Sequence, residues 1–155
     1  MFVAGALPGE RVLAKQVARS RHFDEADTLQ VLQASSDRVL PRCAHFGVCG
    51  GCALQHLDES RQIMAKQRVL LENFERIGHV QPETVLPPLV AEPWGYRRKA
   101  RLGVKYVRKK ERVLVGFREA KDPRFIADID SCEVLVPQVG RKLTELAQLI
   151  ESLDA

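Results

Sequence analysis

Four cysteines set narrow limits on how this chain can fold. Three of them, Cys43, Cys49 and Cys52, stand in one short segment with the spacing C-x5-C-x2-C, and Cys132 follows 79 intervening residues later. Three soft thiolates from one loop and a fourth from a distant segment are the arrangement that binds the four irons of a cubane iron–sulfur cluster. The pattern therefore favours a chain that folds around an inorganic centre, with these four cysteines as its metal ligands.

Other uses of four cysteines fit this spacing less well. Structural zinc sites usually pair their ligands as two short C-x2-4-C units, whereas here three cysteines stand together and one stands alone. A disulfide framework is disfavoured in a reducing compartment. The segment Cys49-Gly50-Gly51-Cys52 lacks the βαβ surroundings of a thioredoxin-like redox motif. Iron–sulfur is favoured over zinc, but the spacing alone leaves the metal open.

Two histidines, His45 and His56, flank the cysteine loop and invite a role as ligands. Four thiolates already complete a tetrahedral or cubane ligand set, so we predict that both histidines lie outside it. The sequence shows no catalytic triad, no paired carboxylates and no glycine-rich phosphate loop. We therefore predict no catalytic residue in this chain.

The totals describe an ordinary protein that can form a core without disulfides. The chain has 155 residues, of which 45% are hydrophobic and 28% are charged. Its apolar runs are too short for a transmembrane helix, and its first residues lack the features of a secretory signal. We expect a monomeric, cytoplasmic protein with no membrane partner.

Positive charge is concentrated in one part of a chain whose formal net charge is only +4. Residues 97–118 contain ten basic residues and one acid, Glu111, so salt bridges within this segment cannot neutralise it. A solvated sheet face is the ordinary explanation, but concentrated basic charge with interleaved aromatic rings also favours RNA as a partner. The predicted RNA-binding residues are Tyr96, Arg97, Lys99, Arg101, Lys105, Arg108, Lys109 and Lys110.

Periodicity predicts short strands and then a helix in the first half of the chain. Strands are expected at 11–19 and 28–34, with a turn at 7–10 and a polar loop at 21–27. The cysteine loop occupies 41–56, and a helix follows over about 60–77, capped by Asp58 or Ser60 and followed by Gly78. The predicted buried face of that helix consists of Ile63, Gln67, Leu70, Leu71, Phe74 and Ile77.

The second half predicts an antiparallel meander and another helix. After a proline-rich connector at 79–93, a strand from 97 should turn its basic residues outward and Ala100, Leu102, Val104 and Tyr106 inward. A charged turn at 108–112, a strand at 113–118 and a third strand at 125–130 should follow. A helix should begin at Pro137. Its predicted buried residues are Leu143, Leu146, Leu149 and Ile150.

Four segments together carry a resemblance to one family. They are PRCAHFGVCGGC at 41–52 followed by Gln55-His56, WGYRRKARL at 94–102, VGFR at 115–118, and DIDSC at 128–132. These segments resemble the bacterial RNA uracil-C5 methyltransferases, above all the branch that acts on 23S ribosomal RNA. Residues 5–12, GALPGERV, resemble the later part of a TRAM domain, an OB-like barrel that binds RNA.

The resemblance implies an α+β fold with a partial OB-like (TRAM) β-barrel, an iron–sulfur loop, and an antiparallel sheet flanked by helices. It implies a partial TRAM domain at 1–38 and a central RNA-recognition domain at 39–155, the latter incomplete at its C-terminal end. The implied cofactors are a [4Fe-4S] cluster on Cys43, Cys49, Cys52 and Cys132, and S-adenosylmethionine in the full-length enzyme. The implied reaction is methylation of C5 of a uridine, with 23S rRNA as the partner.

The departures from the family matter equally. Further TRAM strands, the S-adenosylmethionine domain with its glycine-rich loop, and the nucleophilic cysteine of the family have no counterpart in these 155 residues. All four cysteines are assigned to the cluster, so no thiol remains to attack the base. We therefore expect that this chain alone does not transfer the methyl group. A zinc- or iron–sulfur-stabilised RNA-binding module, or an enzyme acting on tRNA or another rRNA uridine, stays open as the alternative.

Overall fold

A computed structural model describes residues 1–153 of the chain. The chain divides into two compact units: the first comprises Met1–Leu40 and His56–Gln81, and the second comprises Pro41–Gln55 and the residues from Pro82 onward. The described residues form two small sheets and three α-helices, so the fold is a mixture of α and β, as the sequence predicts. None of the described helices is long and apolar enough to cross a membrane.

The first unit begins with a three-stranded sheet. Strands β1 (Phe2–Ala4), β2 (Arg11–Arg19) and β3 (Asp24–Gln33) lie in the order β1-β3-β2, with β1 parallel and β2 antiparallel to β3. The bounds of β2 are those predicted. The predicted turn before β2 is also present: the Glu10 N–H donates to the Leu7 carbonyl, and Gly9 takes a φ of 80° that disfavours other residues.

The predicted polar loop at 21–27 is wrong in its second half, because β3 already begins at Asp24. Residues 24–27 pair with β2, Arg19 opposite Asp24 and Ala18 opposite Glu25. Cross-strand pairing and the burial of Ala26 therefore override the polar character of this stretch. Ser20 closes the shortened turn, since its hydroxyl donates to the Phe23 carbonyl at 2.6 Å.

The three strands form an open sheet, and the described residues contain no closed OB-like barrel. Strand β2 is an edge strand, and large apolar side chains such as Leu13 and Val17 stay half exposed on it. A two- or three-stranded sheet without a covered face gains little stability alone.

An ion pair ties the β1–β2 turn to the segment after β3. The Arg38 guanidinium contacts both carboxylate oxygens of Glu10, at 2.5 and 2.7 Å, and also donates to the Gly5 carbonyl. Backbone N–H groups of Leu7 and Ser35 donate to the same carboxylate. The hydrogen bond from Arg38 is the main reason why the pKa of Glu10 falls to about 2.

Helix α1 (Glu59–Arg76) confirms the predicted helix and its N-cap. The Asp58 carboxylate accepts a hydrogen bond from the Ser60 N–H at 3.0 Å, which satisfies a free donor of the first turn. At the other end, the residue with left-handed φ is His79, at 51°, and not Gly78.

The predicted buried face of α1 is not buried in the described structure. No residue of the helix is fully buried, and Leu70, Phe74 and Ile77 are 52%, 41% and 76% exposed. Periodicity predicts an apolar face on this helix, but such a face is buried only where another element packs against it.

The second unit contains a two-stranded hairpin. Strands β4 (Gly103–Val107) and β5 (Arg112–Gly116) pair antiparallel around a 3₁₀ turn at Arg108–Lys110, as the charged turn predicts. The strand predicted from 97 starts only at Gly103.

The predicted inner face of that strand is wrong in part. Val104 and Tyr106 are 51% and 52% exposed, whereas Val113, Leu114 and Val115 of β5 are all buried. The reason is that helix α3 (Leu143–Glu151) packs against β5 and leaves β4 at the edge.

The third strand predicted at 125–130 does not form. One bridge joins Arg118 to Ile126, the Ala127 N–H donates to the Phe117 carbonyl and the Glu119 N–H donates to the Phe125 carbonyl, but no strand extends over 125–130. The Phe125 N–H donates to the Asp122 carbonyl in a turn that contains Pro123, so pairing with the residues after β5 begins only at Phe125. The segment instead contributes Ala127 and Ile129 to the core.

The last helix is divided in two. Pro137 begins the one-turn helix α2 (Pro137–Gly140), as predicted, and α3 starts at Leu143 after a break. Leu143 is almost fully buried, with 1% exposure, whereas Leu149, predicted to be buried, is 58% exposed. The buried core of this unit is Ala127, Ile129, Leu135 and Leu143, with Cys49, Leu102, Phe117 and Cys132 packed against it.

Candidate metal centre and nucleic-acid interface

All four cysteines line one cavity in the second unit. The cavity is small, with a volume of about 20 Å³. Its other walls are mostly apolar or aromatic, from Phe46, Phe117, Ile129 and Val134, with Glu133 and His45 among the polar residues. None of the four thiols forms a disulfide. The fold therefore brings Cys132 to the same cavity as the three cysteines of the loop.

Local hydrogen bonds wrap the cysteine loop. The His45 carbonyl accepts from the N–H groups of Val48 and Cys49, and the Gln55 side chain accepts from the Cys43 N–H at 3.1 Å. Gly47 has a φ of 89°, which a side chain would oppose. The Gly51 N–H points at the Cys49 sulfur at 3.4 Å, the kind of contact that stabilises a thiolate.

Backbone pairing fixes the loop to the chain after β5. The Gly50 N–H donates to the Arg118 carbonyl and the Ala120 N–H donates to the Val48 carbonyl, both at 2.8 Å. A Cβ on Gly50 would lie 2.9 Å from that Arg118 oxygen, so a side chain at Gly50 would separate the two strands. This contact sets Cys49 against the core.

Cys132 is positioned from the opposite side. Its N–H donates to the Gly140 carbonyl at 2.8 Å, at the end of α2. A Cβ on Gly140 would lie 2.3 Å from the Cys132 carbonyl oxygen, so only glycine permits this approach. The end of α2 therefore fixes the backbone of the fourth cysteine.

The buried thiols favour their protonated form. Burial raises the pKa of Cys43 and of Cys49, and the neighbouring cysteines act in the same direction. Among the described residues, no group of three or more His, Cys, Asp or Glu side chains is arranged to hold a metal ion. Four soft donors around an apolar cavity nevertheless have the chemistry of a site for a group that prefers sulfur.

The two histidines near the loop have different surroundings. His45 lines the cavity, but its Nε2 lies 2.7 Å from an Asp130 carboxylate oxygen. This bond is the first cause of the lowered pKa of Asp130. His56 lies in the first unit and is 6% exposed, and burial lowers its pKa.

The predicted RNA-binding residues fall into two groups. Five of them are exposed and have no acidic partner among residues 1–153. These five are Tyr96, Lys99, Arg101, Arg108 and Lys109. Lys105 is exposed too, with its Nζ 5.9 Å from the centre of the Phe125 ring. The remaining two, Arg97 and Lys110, contact other side chains of the second unit.

Asp128 neutralises part of the basic segment from outside it. Its carboxylate pairs with Lys110 and accepts two hydrogen bonds from Arg112, at 2.8 and 2.7 Å. These contacts, Lys110 first, lower the pKa of Asp128. Sequence reasoning missed this partner because it counted acids only within 97–118.

Two arginines lie over aromatic rings beside the cavity. The Arg97 guanidinium is 5.7 Å from the centre of the Phe117 ring, and Arg42 is 5.1 Å from that of Trp94. Arg42 also pairs with Glu133 at 2.9 Å. The sequence signal for these contacts was weak, since it showed only that aromatic and basic residues alternate.

No family model matches the chain. It is 63% identical over 153 residues to the 23S rRNA (uracil(1939)-C(5))-methyltransferase RlmD of Xanthomonas campestris, and 63% to that of Stenotrophomonas maltophilia. The RlmD of Xylella fastidiosa is 64% identical. Each alignment covers 99% of this chain but 34% of the relative, so the chain spans about a third of their length.

A solved structure has a similar fold. It is the tRNA (uracil-54, C5)-methyltransferase of Pyrococcus abyssi in complex with S-adenosyl-L-homocysteine. The match covers 98% of this chain and 32% of that chain, with a TM-score of 0.60 and 28% sequence identity.

Proposed function

We propose that this chain, which is homologous over nearly all of its length to the RlmD-type 23S rRNA (uracil-C5)-methyltransferases, is the cluster-binding and RNA-contacting part of such an enzyme. The observation that carries the proposal is the 63% identity to RlmD relatives over 153 residues. The proposed reaction of the whole enzyme moves a methyl group from S-adenosylmethionine to C5 of a uridine. A base inside folded RNA must be extruded for such chemistry, so a surface that grips the RNA is part of the mechanism.

The proposed cofactor of this chain is a [4Fe-4S] cluster held by Cys43, Cys49, Cys52 and Cys132. Support comes from the four thiols on the walls of one cavity and from the apolar residues between them. When bound, the cluster would supply coordinate bonds between the loop and the segment at Cys132. Methyl transfer to C5 has no net electron flow, so we assign it a structural role.

The chain's own residues prepare this site. The Gly51 N–H faces the Cys49 sulfur, and Gly140 brings the backbone of Cys132 to its position. Burial in the absence of metal keeps the Cys43 and Cys49 thiols protonated, so loading of the cluster must release protons.

Iron and acid-labile sulfide analysis of protein purified without oxygen tests the cluster. We expect about four irons and four sulfides per chain and a broad visible absorbance. A colourless protein with one bound zinc would instead support the alternative of a zinc-stabilised RNA-binding module.

The proposed RNA surface consists of the exposed cations Lys99, Arg101, Lys105, Arg108 and Lys109, with Tyr96 as a stacking residue. Cations without acidic partners can neutralise phosphates and release counterions, whereas Lys110 is already paired with Asp128. The exposed ring of Tyr96 stands next to this charge and can stack on an unpaired base.

A tRNA substrate is the second candidate, because the structural match is to a tRNA (uracil-54, C5)-methyltransferase. The higher identity to the RlmD relatives favours 23S rRNA. Competition binding with a 23S rRNA transcript and a tRNA transcript at one salt concentration separates the two. Tighter binding of the tRNA would reverse the assignment.

We also propose that these 155 residues alone do not transfer the methyl group. Each of the four thiols lines the cluster cavity, so none is left as a nucleophile. Incubation with 23S rRNA and radiolabelled S-adenosylmethionine should leave the RNA unlabelled. Label at C5 of uridine would contradict this proposal.

A further inference from the structure

Arg97 stands apart from the other cations of segment 97–118. Its backbone is clamped to the segment after Cys132: the Arg97 N–H donates to the Val134 carbonyl at 2.8 Å, and the Val136 N–H donates to the Arg97 carbonyl. Its side chain is half-buried and lies over the Phe117 ring, with 5.7 Å between the guanidinium carbon and the ring centre. Lys99 and Arg101 on the same segment are exposed and have no such contact among the described residues.

Phe117 is itself a wall of the cysteine cavity. It packs against the core next to Cys49 and Cys132. A Cβ placed on Gly51 would lie 3.1 Å from the ring, so the ring is also in close contact with the loop. The Arg97 guanidinium therefore lies over an aromatic ring that itself lines the cavity.

The other charged groups around the cavity are already paired. Glu133 is bound to Arg42, and Asp130 is bound to His45. Arg97 has no acidic partner among residues 1–153. No carboxylate of the described residues therefore offsets its charge.

We infer that Arg97 is a positioning residue for the cluster and not an RNA contact: stacked on Phe117, it holds the ring against the cavity and presents a positive charge to the bound iron–sulfur group. This inference rests on the proposed function. Four thiolates make the bound group anionic, and charge and solvent exposure near a cluster set its reduction potential. A cation behind an apolar ring acts more strongly than one in water, because the local dielectric constant is lower.

The test compares Arg97→Gln with Arg101→Gln in protein purified without oxygen and carrying its cluster. Both substitutions remove one positive charge and leave a shorter, neutral polar side chain. The first readout is the one-electron reduction potential, measured by titration with dithionite. The second is the salt dependence of binding to a 23S rRNA transcript.

We expect Arg97→Gln to make the reduction potential more negative, because the reduced cluster loses a nearby positive charge that stabilises it. The salt slope of RNA binding should not change. Arg101→Gln should leave the potential unchanged and lower the salt slope by about one, as one phosphate contact is lost. Arg97→Lys should restore the potential in part, since it keeps the charge without the planar stack.

Equal potentials in the two variants, or a salt slope that falls in Arg97→Gln as in Arg101→Gln, would overturn the inference. A parent protein that binds RNA but contains no iron would overturn the proposed cluster and this inference together. A parent that contains the cluster while Arg97→Gln behaves like the parent in both readouts would overturn the inference alone.

Discussion

Glu10 shows how much a single buried carboxylate can contribute. Its side chain has no exposed surface and accepts from Arg38 and from two backbone N–H groups. The charged form is therefore favoured in the folded chain, and the pKa falls from 4.5 to about 2. The contact closes the β1–β2 turn onto the segment after β3.

Lowering the pH should remove this contribution. Because the folded-state pKa of Glu10 is depressed, its stabilisation is present above about pH 4.5 and is lost as pH falls towards 2. Linkage puts the loss on the order of 2–3 kcal/mol of unfolding free energy. Urea unfolding of the parent and of Glu10→Gln at pH 7 and pH 3 measures it. Glu10→Gln should be less stable at pH 7 and depend less on pH, and parallel profiles for the two proteins would refute the assignment.

At the scale of elements, the structure set by neighbouring residues could be predicted from the sequence, whereas the structure set by long-range packing could not. The turn chemistry of Pro8-Gly9 and the Asp58 cap act within a few residues, so β2 and the start of α1 could be predicted. The strand at 125–130 and the inward face of β4 depend on what packs against them, which sequence periodicity does not contain. The meeting of the four cysteines at one cavity could be predicted, whereas Phe117 beside them and Asp128 beside Lys110 could not, because tertiary contacts alone bring these residues there.

Gly140 is the element-scale contact that the sequence did not indicate. Replacing it with Ala places a Cβ 2.3 Å from the Cys132 carbonyl oxygen, so α2 or the cysteine segment must move. We expect Gly140→Ala to cost about 1–3 kcal/mol, the range typical of overpacking. Denaturant unfolding measures the change, with Thr144→Ala on the exposed side of α3 as the control. Equal midpoints for the two variants would show that α2 does not hold Cys132.

At the scale of the whole molecule, the proposed cluster joins segments that are distant in sequence. Cys132→Ser keeps nearly the same shape and removes one ligand. Loss of a residue that only hydrogen-bonds to a metal ligand weakens metal binding about 10–100-fold. Loss of a ligand itself should therefore lower the unfolding free energy of the loaded protein by about 2 kcal/mol or more. For a chain of this size, that corresponds to a fall of about 4–8 °C in the melting temperature of the loaded protein.

The matched control for Cys132→Ser is the pair of metal-free proteins. If the coordinate bond is the cause, the variant and the parent should melt together once iron has been removed with a chelator. Melting at the same temperature when both are loaded would show that Cys132 is not a ligand that supports the fold.

The surface charge should act separately from the cluster, because Lys99 and Arg101 have no acidic partner among the described residues and do not line the cavity. The double variant Lys99→Ala with Arg101→Ala should weaken binding to a 23S rRNA transcript and lower the salt slope by about 1–2, since each lost phosphate contact removes about one released counterion. Its visible spectrum and melting temperature should stay those of the parent.

Lys66→Ala with Arg141→Ala removes the same charge from two exposed positions outside the basic segment. If RNA recognition needed only net positive charge, the two double variants would lose affinity equally. The concentration of cations at 97–118 predicts the opposite: the slope of log affinity against log salt falls only when Lys99 and Arg101 are removed. An identical slope in both would assign RNA binding to another surface.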